Sequence, residues 1–234
     1  YSSMADYAAD KGRIYARADN PAFDQAEAVL CALEGGAQAL LFASGMAAAT
    51  AVFQALAPGD HVLAPKVMYW SLRNWLTNFA VRWGLQVELI DMHDPAAVRA
   101  AVRPGQTALV WIETPANPLW TVTDIAATAQ VAHAAGALLA VDSTVATPVL
   151  TRPLALGADI VMHAATKYLG GHNDLLAGVV IGPPNCADDV DVVLHRLPGR
   201  FVGRLEQRAY VHVEAQIGKG GGDDLGPAVV AVLA

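Results

Sequence analysis

One lysine of the chain stands where it could do covalent chemistry. Lys167 lies in the segment HAATKYLGGH, directly after the short apolar run DIVM that begins at Asp159. A lysine amine that has lost its proton forms Schiff bases with carbonyl compounds. Most loop lysines are merely solvated, so the neighbouring motifs have to decide between the two interpretations.

Two further motifs follow apolar runs in the same way. Asp142 comes directly after ALLAV, and Ser44-Gly45-Met46 stands between AQALLF and an alanine-rich stretch. A buried acid can keep a pyridine nitrogen protonated, and backbone N–H groups at the start of a helix can hold a phosphate. Each motif also has a plainer interpretation as a helix or turn cap. Taken together with Lys167, they describe a site for pyridoxal phosphate.

The elements that must position these motifs can be predicted from seven short apolar runs, each expected to form a β-strand. The runs are AQALLF from Ala37, HVLA from His61, QVELI from Gln86, TALVWI from Thr107, ALLAV from Ala137, DIVM from Asp159 and AGVVI from Ala177. Segments with helical spacing separate most of them, for example from Asp124 to Gly136. Such alternation predicts an α/β fold with a mostly parallel sheet covered on both faces. Ligands bind at the carboxyl ends of such strands, where the three motifs should meet.

Composition excludes several other classes of function. The chain has 15 basic and 22 acidic residues, a net charge of −7, and no basic cluster, so we expect no nucleic-acid partner. Cys31 and Cys186 lie far apart without a CxxC pair, which predicts neither a disulfide framework nor a metal site. The N-terminus has no basic stretch followed by an apolar core, and a cytoplasmic location fits best.

The stretch from Gly35 to Gly59 carries no charge and is as long as a membrane-spanning helix of about 20 residues. It contains several polar side chains, among them Gln38 and Gln54, and Ser44-Gly45 interrupts it. We therefore interpret it as strand, turn and helix, and we expect no membrane segment.

The lysine segment HAATKYLGGHNDLLAG resembles that of the Cys/Met-metabolism family of pyridoxal-phosphate enzymes, which includes cystathionine γ-synthase, cystathionine lyases and methionine γ-lyase. YARADNP, LEGGAQALLFASGMAA, ETPANP and VDSTVATP also resemble family motifs, so the resemblance runs from about Tyr15 to Gly182. It implies fold type I, whose large domain is a three-layer α/β/α arrangement with a mostly parallel seven-stranded sheet. It also implies pyridoxal 5'-phosphate as cofactor, and β- or γ-elimination or replacement at a sulfur-containing amino acid or an activated homoserine.

The same resemblance implies three catalytic residues. Lys167 would form the covalent link to the cofactor and afterwards move protons. Asp142 would pair with the pyridine nitrogen. Tyr69, in PKVMYW, would stack on the cofactor ring and assist proton transfer, although a core aromatic is its plainer interpretation.

Further cofactor contacts are implied by the matching motifs. They are expected from Ser44, Gly45, Met46, Asn117, Thr144 and Thr166. Glu113 would support the loop that carries Asn117. Tyr15 and Arg17 resemble the pair that reaches the phosphate of a neighbouring subunit, which implies a homodimer or homotetramer.

The chain departs from the family pattern at several points. Ala164 stands where many members have a phosphate-binding serine, and Trp70-Ser71 replaces a small glycine-rich pair, which would narrow the substrate entrance. We expect residues 1–20 to contribute to the neighbouring subunit's site, 21–195 to form the cofactor-binding domain, and 196–234 to be an atypical tail in place of the family's C-terminal domain. The substrate-gripping arginine of that domain cannot be assigned to the arginines of the tail, which are Arg196, Arg200, Arg204 and Arg208.

Two other functions stay open on the sequence alone. One is a truncated, catalytically inactive homologue that still binds the cofactor. The other is a nucleotide-binding oxidoreductase of similar layering, which is disfavoured because ASGM rather than GxGxxG follows the first predicted strand.

Overall fold

The structure, a computed structural model, describes residues 20–182. Seven strands form its central sheet, as the apolar runs predict. In chain order they are β1 (Gln38–Phe42), β2 (His61–Pro65), β3 (Gln86–Ile90), β4 (Thr107–Glu113), β5 (Leu138–Asp142), β6 (Ile160–His163) and β7 (Gly178–Gly182). The strands are arranged in the order β1-β7-β6-β5-β4-β2-β3. β7 is antiparallel to both of its neighbours, and the other pairs are parallel.

Helices connect the strands. They are α1 (Pro21–Glu34), α2 (Gly45–Gln54), α3 (Trp70–Trp75), α4 (Val81–Trp83), α5 (Pro95–Ala101), α6 (Ile125–Ala134) and α7 (Thr147–Leu150). A π-helical segment, Leu76–Ala80, joins α3 to α4, and a 3₁₀ turn, Pro153–Leu156, follows α7. The helix predicted between Asp124 and Gly136 is confirmed as α6, and the Asp124 side chain caps its first turn by accepting the Ala127 N–H at 2.9 Å.

The hydrophobic core lies on both faces of the sheet. On one face, α2 and α3 pack against the strands through residues such as Phe53 and Leu72, with Trp111 buried beneath Phe53. On the other face, α5 and α6 contribute Val98 and Ile125. The sheet is therefore enclosed between two helical layers, which is why its strands are almost wholly apolar. This confirms the predicted three-layer α/β/α architecture.

The uncharged stretch from Gly35 to Gly59 forms β1 and the ten-residue helix α2, with Ser44 between them. The strand–turn–helix interpretation is thereby confirmed. Within residues 20–182, no helix has both the length and the apolar character that crossing a membrane requires.

Candidate active site

The start of α2 provides the first part of the site. Ser44 lies two residues after the end of β1, and its hydroxyl accepts the Ala47 N–H at 3.0 Å, so it caps the helix. The first N–H groups of a helix have no partner within the helix. Those of Gly45 and Met46 therefore point out of the helix end, where its dipole favours an anion such as a phosphate.

Gly45 brings the lysine segment against this helix end. A Cβ at Gly45 would lie 2.5 Å from Ala164 Cβ and 2.9 Å from Ala164 Cα, so only glycine fits without a shift. Ala164 lies three residues before Lys167. The Ser44-Gly45 motif and the lysine segment are thus in direct contact, although Gly45 and Ala164 are 119 positions apart in the chain.

Asp142, at the carboxyl end of β5, is buried and is oriented by Thr144. Its Oδ1 accepts the Thr144 N–H at 3.0 Å and the Thr144 hydroxyl at 2.5 Å. The Thr144 oxygen in turn accepts the Ala164 N–H at 2.8 Å. One hydroxyl therefore fixes the carboxylate relative to the start of the lysine segment.

Burial raises the pKa of Asp142 above its ordinary value. The two hydrogen bonds from Thr144 and the charge of His163 oppose that effect because they favour the ionised form. The ionised form of Asp142 is therefore disfavoured by burial and favoured by Thr144 and His163.

Glu113, at the carboxyl end of β4, holds two loops of the site together. Its Oε2 accepts the Tyr69 N–H at 2.6 Å, and its Oε1 accepts the Asn117 N–H at 2.8 Å. Burial, together with the negative charge of Asp142, raises the pKa of Glu113 to about 7, although the two N–H groups oppose the shift. The support that Glu113 was expected to give the Asn117 loop is present, and it extends to Tyr69.

Three side chains that would meet a cofactor are exposed at this edge. Lys167 and Asn117 are exposed, and 44% of the surface of Tyr69 is accessible to solvent. Tyr69 is therefore not a core aromatic, which was its plainer interpretation. These groups are accessible to a molecule that binds over the sheet edge.

Thr166 makes different contacts from those expected. Its hydroxyl donates to the Ala177 carbonyl and accepts the Ala177 N–H, both at 3.0 Å. It thereby ties the lysine segment to the residue before β7, and a phosphate contact by Thr166 stays a prediction. Tyr15 and Arg17 lie outside the described residues.

A buried pair of residues was missed by the sequence reasoning. Glu34 and His163 are both wholly buried, and Glu34 Oε1 lies 2.6 Å from His163 Nε2. They are 129 positions apart, and no local pattern relates them. The only sequence signal is that each lies within a segment that resembles a family motif, Glu34 in LEGGAQALLFASGMAA and His163 in HAATKYLGGHNDLLAG.

Comparison with known proteins places this arrangement in a family. Residues 2–205 match the family model described as Cys/Met metabolism PLP-dependent enzyme. The chain belongs to that family. Membership confirms the resemblance seen in the motifs and makes the oxidoreductase interpretation wrong.

Two enzymes of known activity are similar to this chain over most of its length. L-methionine γ-lyase of Porphyromonas gingivalis is 44% identical over 186 residues, which are 79% of this chain and 46% of that protein. Cystathionine γ-synthase of Mycobacterium tuberculosis is 40% identical over 83% of this chain and 51% of that protein. The crystal structure of MetB from Corynebacterium glutamicum superposes with a TM-score of 0.72 at 34% identity, covering 88% of this chain and 54% of that one. The chain thus spans about half the length of these relatives.

The described residues fit the cofactor of the family. The helix end at Gly45 offers N–H donors to a phosphate, and the close approach of Ala164 leaves no room there for a Cβ. Asp142 supplies a buried carboxylate at the same edge, and Lys167 an exposed amine. The protein therefore offers a group of matching chemistry to each of three parts of the cofactor, which are its phosphate, its pyridine nitrogen and its aldehyde.

Proposed function

We propose that this chain provides the cofactor domain of a pyridoxal-phosphate enzyme that carries out β- or γ-elimination or replacement at a sulfur-containing amino acid or an activated homoserine. The observation that carries the proposal is the contact between the helix-end motif, the Asp142–Thr144 pair and the lysine segment at one edge of the sheet. Relatives named as lyase, synthase and O-succinylhomoserine sulfhydrylase support this reaction class.

The chain's own residues divide the work of the reaction. Bound pyridoxal phosphate supplies an aldehyde that links to amines and a ring that accepts negative charge. The N–H groups of Gly45 and Met46 would hold the phosphate, and Asp142 would keep a proton on the ring nitrogen. The amine of Lys167 would hold the aldehyde and, once free, would carry protons to and from the substrate carbons. Tyr69 would stack on the ring, and Asn117 would contact the cofactor.

The first test is covalent capture of the cofactor by the full chain. After unbound pyridoxal phosphate has been removed, we expect the chain to keep a visible absorption band that borohydride abolishes, with one reduced phosphopyridoxyl group found on Lys167 by peptide mass mapping. Lys167→Ala should lose both signals, whereas Lys66→Ala, a change of another described lysine, should keep them. A band that survives Lys167→Ala would contradict the assignment.

A cofactor-binding homologue without turnover is the second candidate. Ala164 favours it, because a methyl group offers no hydrogen bond to a phosphate where many members of the family carry a serine. Release of a 2-oxo acid from cystathionine, methionine or cysteine in steady state would exclude this candidate. We expect Ala164→Ser to tighten cofactor binding under either function.

The assembly is proposed from the family resemblance. Tyr15 and Arg17 would complete the phosphate site of a neighbouring copy, so that the active unit is a homodimer or a homotetramer. Its substrate is a small amino acid, as is general for the family.

A further inference from the structure

The Glu34–His163 pair is the strongest feature that the proposed function does not use. Glu34 is the last residue of α1 and His163 the last residue of β6, and neither is accessible to solvent. Glu34 Oε1 and His163 Nε2 bond each other. The second polar atom of each side chain, Glu34 Oε2 and His163 Nδ1, has no hydrogen-bond partner among the described residues. Burying such groups costs desolvation free energy unless a hydrogen bond or an opposite charge compensates for it.

One peptide bond and two hydrogen bonds connect His163 to Asp142. His163 is followed by Ala164, whose N–H donates to Thr144 Oγ1 at 2.8 Å. Thr144 Oγ1 donates to Asp142 Oδ1 at 2.5 Å. Fixing the imidazole at the end of β6 therefore also fixes the peptide group on which the Asp142–Thr144 arrangement depends.

The charges at this sheet edge also point to His163. Of the buried carboxylates at this edge, Glu34 from α1 bonds His163, whereas the side chains of Asp142 and Glu113 lie on the opposite face of the sheet, because Asp142 pairs with Glu113 and with Met162 rather than with His163. The adjoining strand β7 and helix α2 contain no titratable side chain. The other buried histidine of the described part, His61, lies at the amino end of β2 and binds Thr107 and Glu88. His163 is thus joined to Asp142 through the Ala164 peptide group and Thr144, and its charge lowers the pKa of Asp142.

We propose that Glu34 and His163 form a positioning pair for Asp142: Glu34 holds the imidazole, and the imidazole together with Thr144 keeps the Asp142 carboxylate ionised and in place. This proposal rests on the proposed function, in which Asp142 keeps the ring nitrogen protonated. It gives a role in the cofactor site to a residue of α1, a helix that supplies no cofactor contact.

The experiment is a carbon-13 NMR titration of the Asp142 carboxyl in the cofactor-free full chain. In His163→Gln we expect the midpoint to rise by about 1 pH unit, the usual effect of losing one nearby positive charge. The double variant Glu34→Gln with His163→Gln keeps two side chains that can hydrogen-bond to each other but removes both charges. Because the two removed charges act on Asp142 in opposite directions, its rise should be smaller than that in His163→Gln.

The same variants give a second readout with pyridoxal phosphate. A higher Asp142 midpoint means that the carboxylate takes up its proton at a higher pH. The pH at which cofactor affinity falls on acidification should therefore rise in step. His61→Gln, which removes the other buried histidine from its carboxylate partner, should leave both midpoints unchanged.

The outcomes separate this proposal from the proposed function. An unchanged Asp142 midpoint in His163→Gln, with folding verified by circular dichroism, would overturn the positioning role. Failure of both variants to fold would overturn it too, because the pair would then serve the fold as a whole. If the wild-type chain binds no pyridoxal phosphate, the proposed function fails, yet the NMR comparison still decides the role of the pair.

Discussion

Thr144 shows how much a single hydroxyl can determine in this site. It donates to Asp142 and accepts from the Ala164 N–H, so both its donor and one acceptor position are used within the protein. A hydroxyl with these two contacts orients the Asp142 carboxylate. The contact of Thr144 with the cofactor, which the sequence predicts, stays a prediction.

We predict that Thr144→Val weakens binding of pyridoxal phosphate about ten- to one-hundred-fold, the effect of one lost charged hydrogen bond and one unpaired buried N–H. Thr144→Ser keeps the hydroxyl and should restore most of the affinity. Fluorescence titration of the cofactor would measure both. Equal losses in the two variants would contradict a specific role of the hydroxyl.

The raised pKa of Glu113 predicts a pH-dependent stability. Because the folded pKa is about 7 and the ordinary value is 4.5, the folded state holds a proton that the unfolded state releases between these pH values. The free energy of unfolding should therefore fall as pH rises from 4.5 to 7, by roughly 1 to 3 kcal/mol from this group. Urea unfolding at several pH values, compared with Glu113→Gln, would show a flatter dependence in the variant. Parallel curves for the two proteins would contradict the prediction.

Sequence reasoning found the residues that directly follow strands and missed those that depend on distant partners. Asp142 and Ser44 were identifiable because a polar residue stands at the end of an apolar run. The contact of Thr166 with Ala177 and the pairing of Glu34 with His163 depend on how β6 and β7 lie beside α1. No periodicity in one segment contains that information.

At the scale of elements, α2 and the lysine segment touch through Gly45. We predict that Gly45→Ala destabilises the protein by about 1 to 3 kcal/mol, because the new methyl group has to displace Ala164. The displacement should also weaken cofactor binding. Gly182→Ala is the matched control, since a Cβ there meets nothing within 4 Å. Thermal unfolding and cofactor titration of the two variants would test the contact, and similar behaviour of both would count against it.

The strands themselves were predictable, but their arrangement was not. Each apolar run forms a strand whose ends lie close to those of the run, because fully buried strands consist of almost nothing but apolar residues. The run AGVVI looks like the others, yet β7 is antiparallel and lies between β1 and β6. Direction and neighbours are set by the connections and packing, and an apolar run carries no mark of either.

At the scale of the whole molecule, the proposed assembly can be tested by mixing two defective chains. If Arg17 acts across a subunit boundary, each site takes Lys167 from one chain and Arg17 from the other, so Arg17→Ala and Lys167→Ala affect different chains of the same site. Refolding them together should restore a reducible cofactor band to about a quarter of the wild-type amplitude, because half of randomly mixed dimers contain one intact site. No recovery above the separate variants would place both residues in the same site of one chain.

The position of β7 between β1 and β6 has a consequence for the order of events during synthesis. β1 lies at the edge of the sheet and pairs with β7, so the first of the described strands to leave the ribosome waits for the last of them. About 140 residues separate them, which at 5–20 residues per second is a delay of roughly 7 to 28 seconds. For most of this time Ser44 and Gly45 lack two of their neighbours, Gly178 and Ala164. Among the described residues, the helix end proposed to bind the phosphate is therefore completed late, although it is translated early.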